Sequence, residues 1–214
     1  MVERIPEPEL MEDTVQCNNY NQSLLNNSNA LLKFVQAYTQ YIGITNGTIV
    51  DLGSGTANFI IELCKTYPNL KVVCYENSNA MIKIAQDNIN NEKLQNRITI
   101  INDNFFNATG TFDAVIANRV LHHVNDTEKF WQLINNLSKD VLVCDLERPK
   151  KLEYIGSWFD VDVKNSFKAA YTANEVRSQI TPYGYSVVKE EIGNSLFALT
   201  VYQNKKSVSS LTTP

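Results

Sequence analysis

The stretch Thr48-Ile49-Val50-Asp51-Leu52-Gly53-Ser54-Gly55-Thr56-Ala57-Asn58 constrains the fold more than any other part of the chain. A β-prone apolar run containing an acidic residue breaks at two glycines one residue apart, and a helical pattern starts immediately afterwards. That order reads as a strand, a tight turn and a helix N-terminus. Glycines at 53 and 55 let a ligand approach the backbone closely, and the exposed N–H groups at the helix start favour polar or anionic ligand groups. The turn points to a nucleotide-like cofactor.

The pattern repeats downstream. Apolar, β-branched runs at 48–52, 71–75, 97–101, 112–117 and 141–146 predict five strands, and amphipathic spacing predicts helices over 56–66, 78–91 and 126–137. Strand–helix alternation of this kind builds right-handed crossovers and a parallel sheet covered on both faces. A helix over 172–182 opens on Thr172 with Glu175 three residues later, the spacing of a capping box. Two β stretches, 185–191 and 195–203, follow it, and Gly193-Asn194 between them is a hairpin signal. The expected architecture is α/β, a doubly wound, mostly parallel seven-stranded sheet with an antiparallel C-terminal hairpin strand.

Around this core the expected organisation is a helical arm or cap at 1–43, a cofactor-binding domain at 44–203 and a disordered polar tail at 204–214. Residues 1–12 are acidic and contain proline, which predicts an extended arm, and helices are expected over 12–24 and 28–42, covering the ligand edge. Residues 147–170 are long, mixed and aromatic, with Tyr154, Trp158, Phe159 and Phe167, and read as an insertion on the substrate side. The aromatics either form an apolar lid or pack among themselves.

Composition narrows the function. A net charge of −4 gives no basic footprint, so neither nucleic acid nor an anionic membrane is the expected partner. No signal peptide is visible in Met1 to Leu10, and no run approaches the roughly 18 apolar residues of a spanning helix, so a cytoplasmic protein is expected. The four cysteines Cys17, Cys64, Cys74 and Cys144 form no CxxC pair, and no metal site is expected.

Ligands of an open parallel sheet bind outside the carboxyl ends of its strands. In this chain those ends carry Asp51, Gly53, Ser54 and Gly55, then Glu76, then Asp103 and Asn104, then Asn118, His122 and His123, and finally Asp145, Glu147 and Arg148. Glu76 lies roughly 20 residues beyond the glycine turn, the separation at which a carboxylate meets ribose hydroxyls. Arg148 could meet a substrate carboxylate or pair with Glu147 or another surface acid. The turn is not a dinucleotide fingerprint, because the third glycine would fall on Asn58.

The turn instead resembles the first motif of the class I S-adenosylmethionine (SAM) methyltransferases, with Ala57 in place of the last glycine. Tyr75-Glu76-Asn77-Ser78-Asn79-Ala80-Met81 and Ile101-Asn102-Asp103-Asn104 are similar to the family's second and third motifs. Phe112 to Asp126 resembles the fourth-strand segment of its small-molecule members, and Asp145 to Pro149 and Ser166 to Arg177 resemble a bacterial subgroup. Order and spacing carry this likeness over nearly the whole chain. The resemblance implies a Rossmann-like sheet, SAM as cofactor and S-adenosylhomocysteine (SAH) as product. By that likeness Gly53, Ser54 and Gly55 hold the methionine part, with Asp51 near its ammonium group. Glu76 takes the ribose hydroxyls and Asp103 the exocyclic amine of adenine, Asn77 and Asn104 beside them are also cofactor-binding, and Asn118 lines the methionine end. The alternative for Asp103 is a turn-forming residue.

Among small-molecule members the resemblance places a catalytic histidine at His123, paired in some of them with a tyrosine from an N-terminal helix, here Tyr20. His123 could also pack at the cofactor edge or cap a helix. The segment after the fourth strand, Asn118-Arg119-Val120-Leu121, lacks the N/D/S-P-P-aromatic motif of nucleic-acid and glutamine-amide methylating relatives, which favours a small-molecule acceptor. A non-catalytic SAM-binding protein and a nicotinamide-dependent oxidoreductase are the other readings. The oligomeric state has no signature in the chain.

Overall fold

The computed structural model describes residues 2–7, 11–26, 28–156, 161–193 and 196–203. Two helices precede the sheet, α1 (Thr14–Leu25) and α2 (Ser28–Tyr41). Asp13 caps α1 by accepting from the Gln16 N–H, and Leu31, Phe34, Val35 and Tyr38 form the buried stripe of α2 at helical spacing. The core then alternates as β1 (Asn46–Leu52), α3 (Asn58–Thr66), β2 (Asn69–Glu76), α4 (Asn79–Asn91), β3 (Ile98–Asn102), β4 (Ala114–Asn118), α5 (Thr127–Leu137) and β5 (Val141–Leu146). It closes with α6 (Val161–Ala169), α7 (Ala173–Ile180), β6 (Tyr185–Gly193) and β7 (Leu196–Gln203).

The sheet order is β3-β2-β1-β4-β5-β7-β6, with β1 to β5 mutually parallel. β7 runs antiparallel to both β5 and β6. This is the seven-stranded, Rossmann-like α/β sheet with its antiparallel hairpin strand. The chain reverses its direction of winding between β1 and β4, and that switch point opens a crevice at the strand ends.

Both faces of the central strands are buried, which is why they read as continuous apolar runs. Ile49, Val72, Cys74, Ala114 and Ile116 face α2 and α3, where Phe34, Ile60 and Leu63 complete one core layer. Val50, Leu52, Val115, Ala117 and Val143 face Phe130, Trp131, Ile134, Val176 and Ile180 of α5 and α7 in the other. Each large apolar side chain removed from water here stabilises the fold by about 1.5–3 kcal/mol.

Most expected bounds move by one or two residues, and three of the shifts have a visible local cause. The fourth strand begins at Ala114 rather than at position 112, because the Asp113 carboxylate takes the Thr48 N–H at 2.7 Å. α3 starts at Asn58 rather than 56, because Ala57 sits in the left-handed region at φ 60°. The helix expected over 172–182 ends at Ile180 and tightens into a 3-10 turn at Thr181–Tyr183, where Pro182 has no N–H to continue it.

Within 147–170 the described residues contain a 3-10 turn at Leu152–Tyr154 and α6, whose Phe167 is buried with Ile155. Trp158, Phe159, Asn194 and the 204–214 tail lie outside the described residues. Among the described residues no helix is long and apolar enough to cross a membrane.

Candidate functional site

The glycine turn after β1 is built by its neighbours. Gly53 at φ 77° and Gly55 at φ 53° occupy the left-handed region. A Cβ on Gly53 would lie 2.7 Å from Val120 Cγ2, so the segment after β4 closes directly onto the turn. A Cβ on Gly55 would project toward the Tyr20 ring, 4.0 Å away, and the backbone there faces a cavity.

Glu76, at the end of β2, reaches back across that turn. Its Oε2 accepts from the Gly55 N–H at 2.8 Å, and its Oε1 accepts from the Asn77 and Ser78 N–H groups at 2.9 Å. Burial raises the Glu76 carboxyl despite these three donors. Burial, reinforced by the Glu76 charge, pushes the Asp51 carboxyl up to about 8. Ser54 Oγ and Asn118 Nδ2 are buried beside them without a hydrogen-bond partner. A side-chain-free cradle, two carboxyls and two orphaned polar atoms fit a polar ligand with hydroxyl, amino and carboxylate groups.

One cavity of about 710 Å³ joins Asp51, Gly53, Ser54, Gly55, Glu76, Asn77, Asn104 and Asn118 to Tyr20 and His123. Asp103 is not among its lining residues. The Asp103 Oδ1 accepts from the Asn104 N–H at 2.7 Å and from Asn107 Nδ2 at 2.8 Å, a turn that aims Asn104 instead.

At the far end of the cavity, a 3-10 turn at Leu121–His123 carries both histidines, their rings 4.1 Å apart. His122 is the buried one, 4% exposed. Its Nδ1 lies 2.7 Å from Asp145 Oδ1, and its N–H donates to Asp145 Oδ2 at 2.9 Å. Burial would raise the Asp145 carboxyl, but the His122 charge and the hydrogen bonds from His122 and the Leu146 N–H hold it below its ordinary value. The Asp145 carboxylate holds the ring by Nδ1, which leaves Nε2 as the ring nitrogen not engaged by it.

The sequence signals missed the pieces that close this end. The N-terminal arm crosses the mouth of the β4 and β5 ends. Arg4 donates to the carbonyls of His122, Val124 and Ala169 and to Asn125 Oδ1, and stacks 4.2 Å above the Tyr171 ring. Three residues on, Glu7 accepts from Ser166 Oγ at 3.4 Å, while its Oε2 is buried without a partner. Arg119 sits at φ 59° with its guanidinium 5.6 Å over the Phe59 ring, beside Tyr20. Arg148 binds Glu175 at 2.6 Å and the carbonyls of Val2 and Ala170, so it anchors the arm, and Glu147 turns to Lys189.

An open sheet of this order, a glycine turn after its first strand and an acidic residue closing its second define the class I SAM-dependent methyltransferase domain. The chain belongs to the methyltransferase-domain family, which residues 45–191 match. It is 32% identical over 164 residues to a carboxy-S-adenosyl-L-methionine synthase of Nautilia profundicola, covering 70% of this chain and 68% of that protein. It is 31% identical over 108 residues to desmethylxanthohumol 6'-O-methyltransferase of Humulus lupulus, half of this chain but only 28% of that enzyme. Its fold superposes on an O-methyltransferase family protein from Burkholderia thailandensis with a TM-score of 0.65 at 14% identity, covering 89% of this chain and 60% of the other. The chain thus spans less than two thirds of the length of the latter two.

Proposed function

We propose that this protein transfers the methyl group of SAM to a small-molecule acceptor bound between the glycine turn and the Glu7–His122–His123 end of the cavity. The observation that carries this reading is the continuity of one 710 Å³ cavity from Glu76 and Gly55 to His122 and His123. Bound SAM supplies a methyl group already activated by its sulfonium. Asp51, Gly53, Ser54, Gly55, Glu76, Asn77, Asn104 and Asn118 hold it, with Glu76 exchanging backbone donors for ribose hydroxyls and Asp51 facing the ammonium group. Asp103 contributes by holding Asn104 in place.

The protein's remaining task is alignment, exclusion of water and removal of a proton where the acceptor carries one. Tyr20 packs over the turn and orients the methionine end together with Arg119. His123, His122 and Glu7 handle the acceptor's proton, and Asp145 fixes the His122 ring. Phe34, Leu24, Met11 and Phe167 give the cavity apolar walls for the acceptor's body. Net charge and the absence of a basic footprint support a small molecule over nucleic acid.

Incubation with methyl-labelled SAM and separate low-molecular-weight, protein and RNA fractions of a cell extract tests this reading. Label and SAH are expected from the low-molecular-weight fraction. Label confined to protein or RNA would overturn the acceptor class, and binding of SAM without turnover in any fraction would favour the non-catalytic alternative.

A further inference from the structure

Glu7 from the N-terminal arm meets His122 and His123 from the turn after β4, and their ligating atoms all lie within 4.8 Å of one another. We propose that these three side chains bind one divalent first-row transition cation, of the zinc and cobalt kind, at the acceptor end of the cavity. The inference rests on the cavity reading above and deepens it: the acceptor becomes a molecule with a hydroxyl or carboxylate oxygen that completes the cation's coordination.

Four observations converge on the site. First, Asp145 holds the His122 ring by Nδ1 at 2.7 Å, the outer-shell carboxylate arrangement that orients a metal-binding imidazole. Second, Glu7 Oε2 is buried without a hydrogen-bond partner, and burial raises its carboxyl against the opposing pull of the His122 charge, a strain that a cation between the two would relieve. Third, two imidazoles and one carboxylate suit zinc, cobalt or iron, whereas calcium and magnesium require mostly oxygen ligands. Fourth, three protein ligands leave a coordination position open, and here that position faces a cavity.

The geometry is within reach. Ligands about 2.1 Å from a tetrahedral ion sit about 3.4 Å apart, so ligand atoms that lie within 4.8 Å of one another must draw together on binding. Arg4 holds the arm that carries Glu7 through three backbone carbonyls. A cation there would replace the three side chains in removing the acceptor's proton: it would acidify a bound acceptor oxygen, whose proton passes to solvent, and fix its lone pair near the methyl donor.

The chain contains only two histidines, so a histidine-ligated cation has no other place to sit. The test is titration of cobalt chloride and zinc chloride into tag-free, chelator-stripped full-length protein, followed by visible d–d absorption and calorimetry. Expected are one cobalt per chain with an imidazole-ligated spectrum, and affinity reduced at least about tenfold in Glu7→Gln, His123→Gln and Asp145→Asn. No stoichiometric cobalt band, or equal affinity in Glu7→Gln and His123→Gln, would overturn the proposal. SAH affinity measured on the same samples separates the two readings: its retention in Glu7→Gln shows a folded protein whose cation site alone has changed. SAH binding by a parent protein that takes up no cobalt would sink the cation site and leave the cofactor reading standing.

Discussion

Asp51 and the glycines beside it were legible because a strand, a tight turn and a helix start leave a local signature. Their energetics depend on burial, which the sequence does not display. The unfolded Asp51 carboxyl titrates near 3.9 and the folded one at about 8, so the native state holds an extra proton between those values. Its contribution to stability is complete below about pH 4 and is lost as pH rises through 8. The thermal midpoint of the parent protein is therefore expected to fall between pH 5 and pH 8.5, and Asp51→Asn should flatten that dependence. A bound ammonium group favours the ionised carboxyl, so SAH binding near neutral pH should release a proton to solvent, measurable by calorimetry in two buffers of different ionisation enthalpy.

The two glycines predict different failures. Gly53→Ala meets Val120 Cγ2 at 2.7 Å as well as an unfavourable φ, and should destabilise the fold by about 1–3 kcal/mol in denaturant. Gly55→Ala meets nothing nearer than the Tyr20 ring at 4.0 Å, so its larger effect should be on SAH affinity. His122 shows the limit of reading adjacent residues. The sequence favoured His123 by likeness, while the pairing of His122 with Asp145 spans 23 positions and becomes visible only when β4 and β5 lie side by side.

Elements whose determinants are local were readable in the chain. The Thr172/Glu175 capping box forms as its spacing predicted, and Thr172→Ala should cost about 1 kcal/mol in chemical denaturation. β4 shifted because Asp113 and Thr48, 65 positions apart, settle its start between them. α6 escaped prediction because the aromatic richness of 147–170 obscured a helical run whose buried anchor is Phe167. The arm was expected as an extended segment, but its placement escaped for a different reason: it has no regular hydrogen bonding of its own and is placed by Arg4, which donates to carbonyls far along the chain, and by Arg148, which donates to the Val2 carbonyl. Arg4→Ala should therefore lower methyl transfer by at least about tenfold while leaving SAH affinity within about twofold. Equal losses of both would show that the arm supports the whole fold.

Over the whole molecule, the sheet order brings the ends of β1, β2, β4 and β5 to one crevice, and residues before β1 roof it. Met11, Tyr20, Leu24 and Phe34 line the cavity together with Thr200 of β7, so the site draws on nearly the full length of the described chain. Strand–helix alternation gave away the topology, but no local pattern records which N-terminal residues cover which strand end. The acceptor's walls were for that reason the least legible part.

If the glycine turn and Glu76 form a SAM site, calorimetric titration of SAH into the parent protein and into Glu76→Ala will show it. Losing a buried charged acceptor of hydrogen bonds should weaken binding at least about tenfold. One SAH per chain is expected in the parent and that loss in the variant, with the variant still folded. No binding by the parent protein, or equal affinity in the two, would contradict a SAM site there.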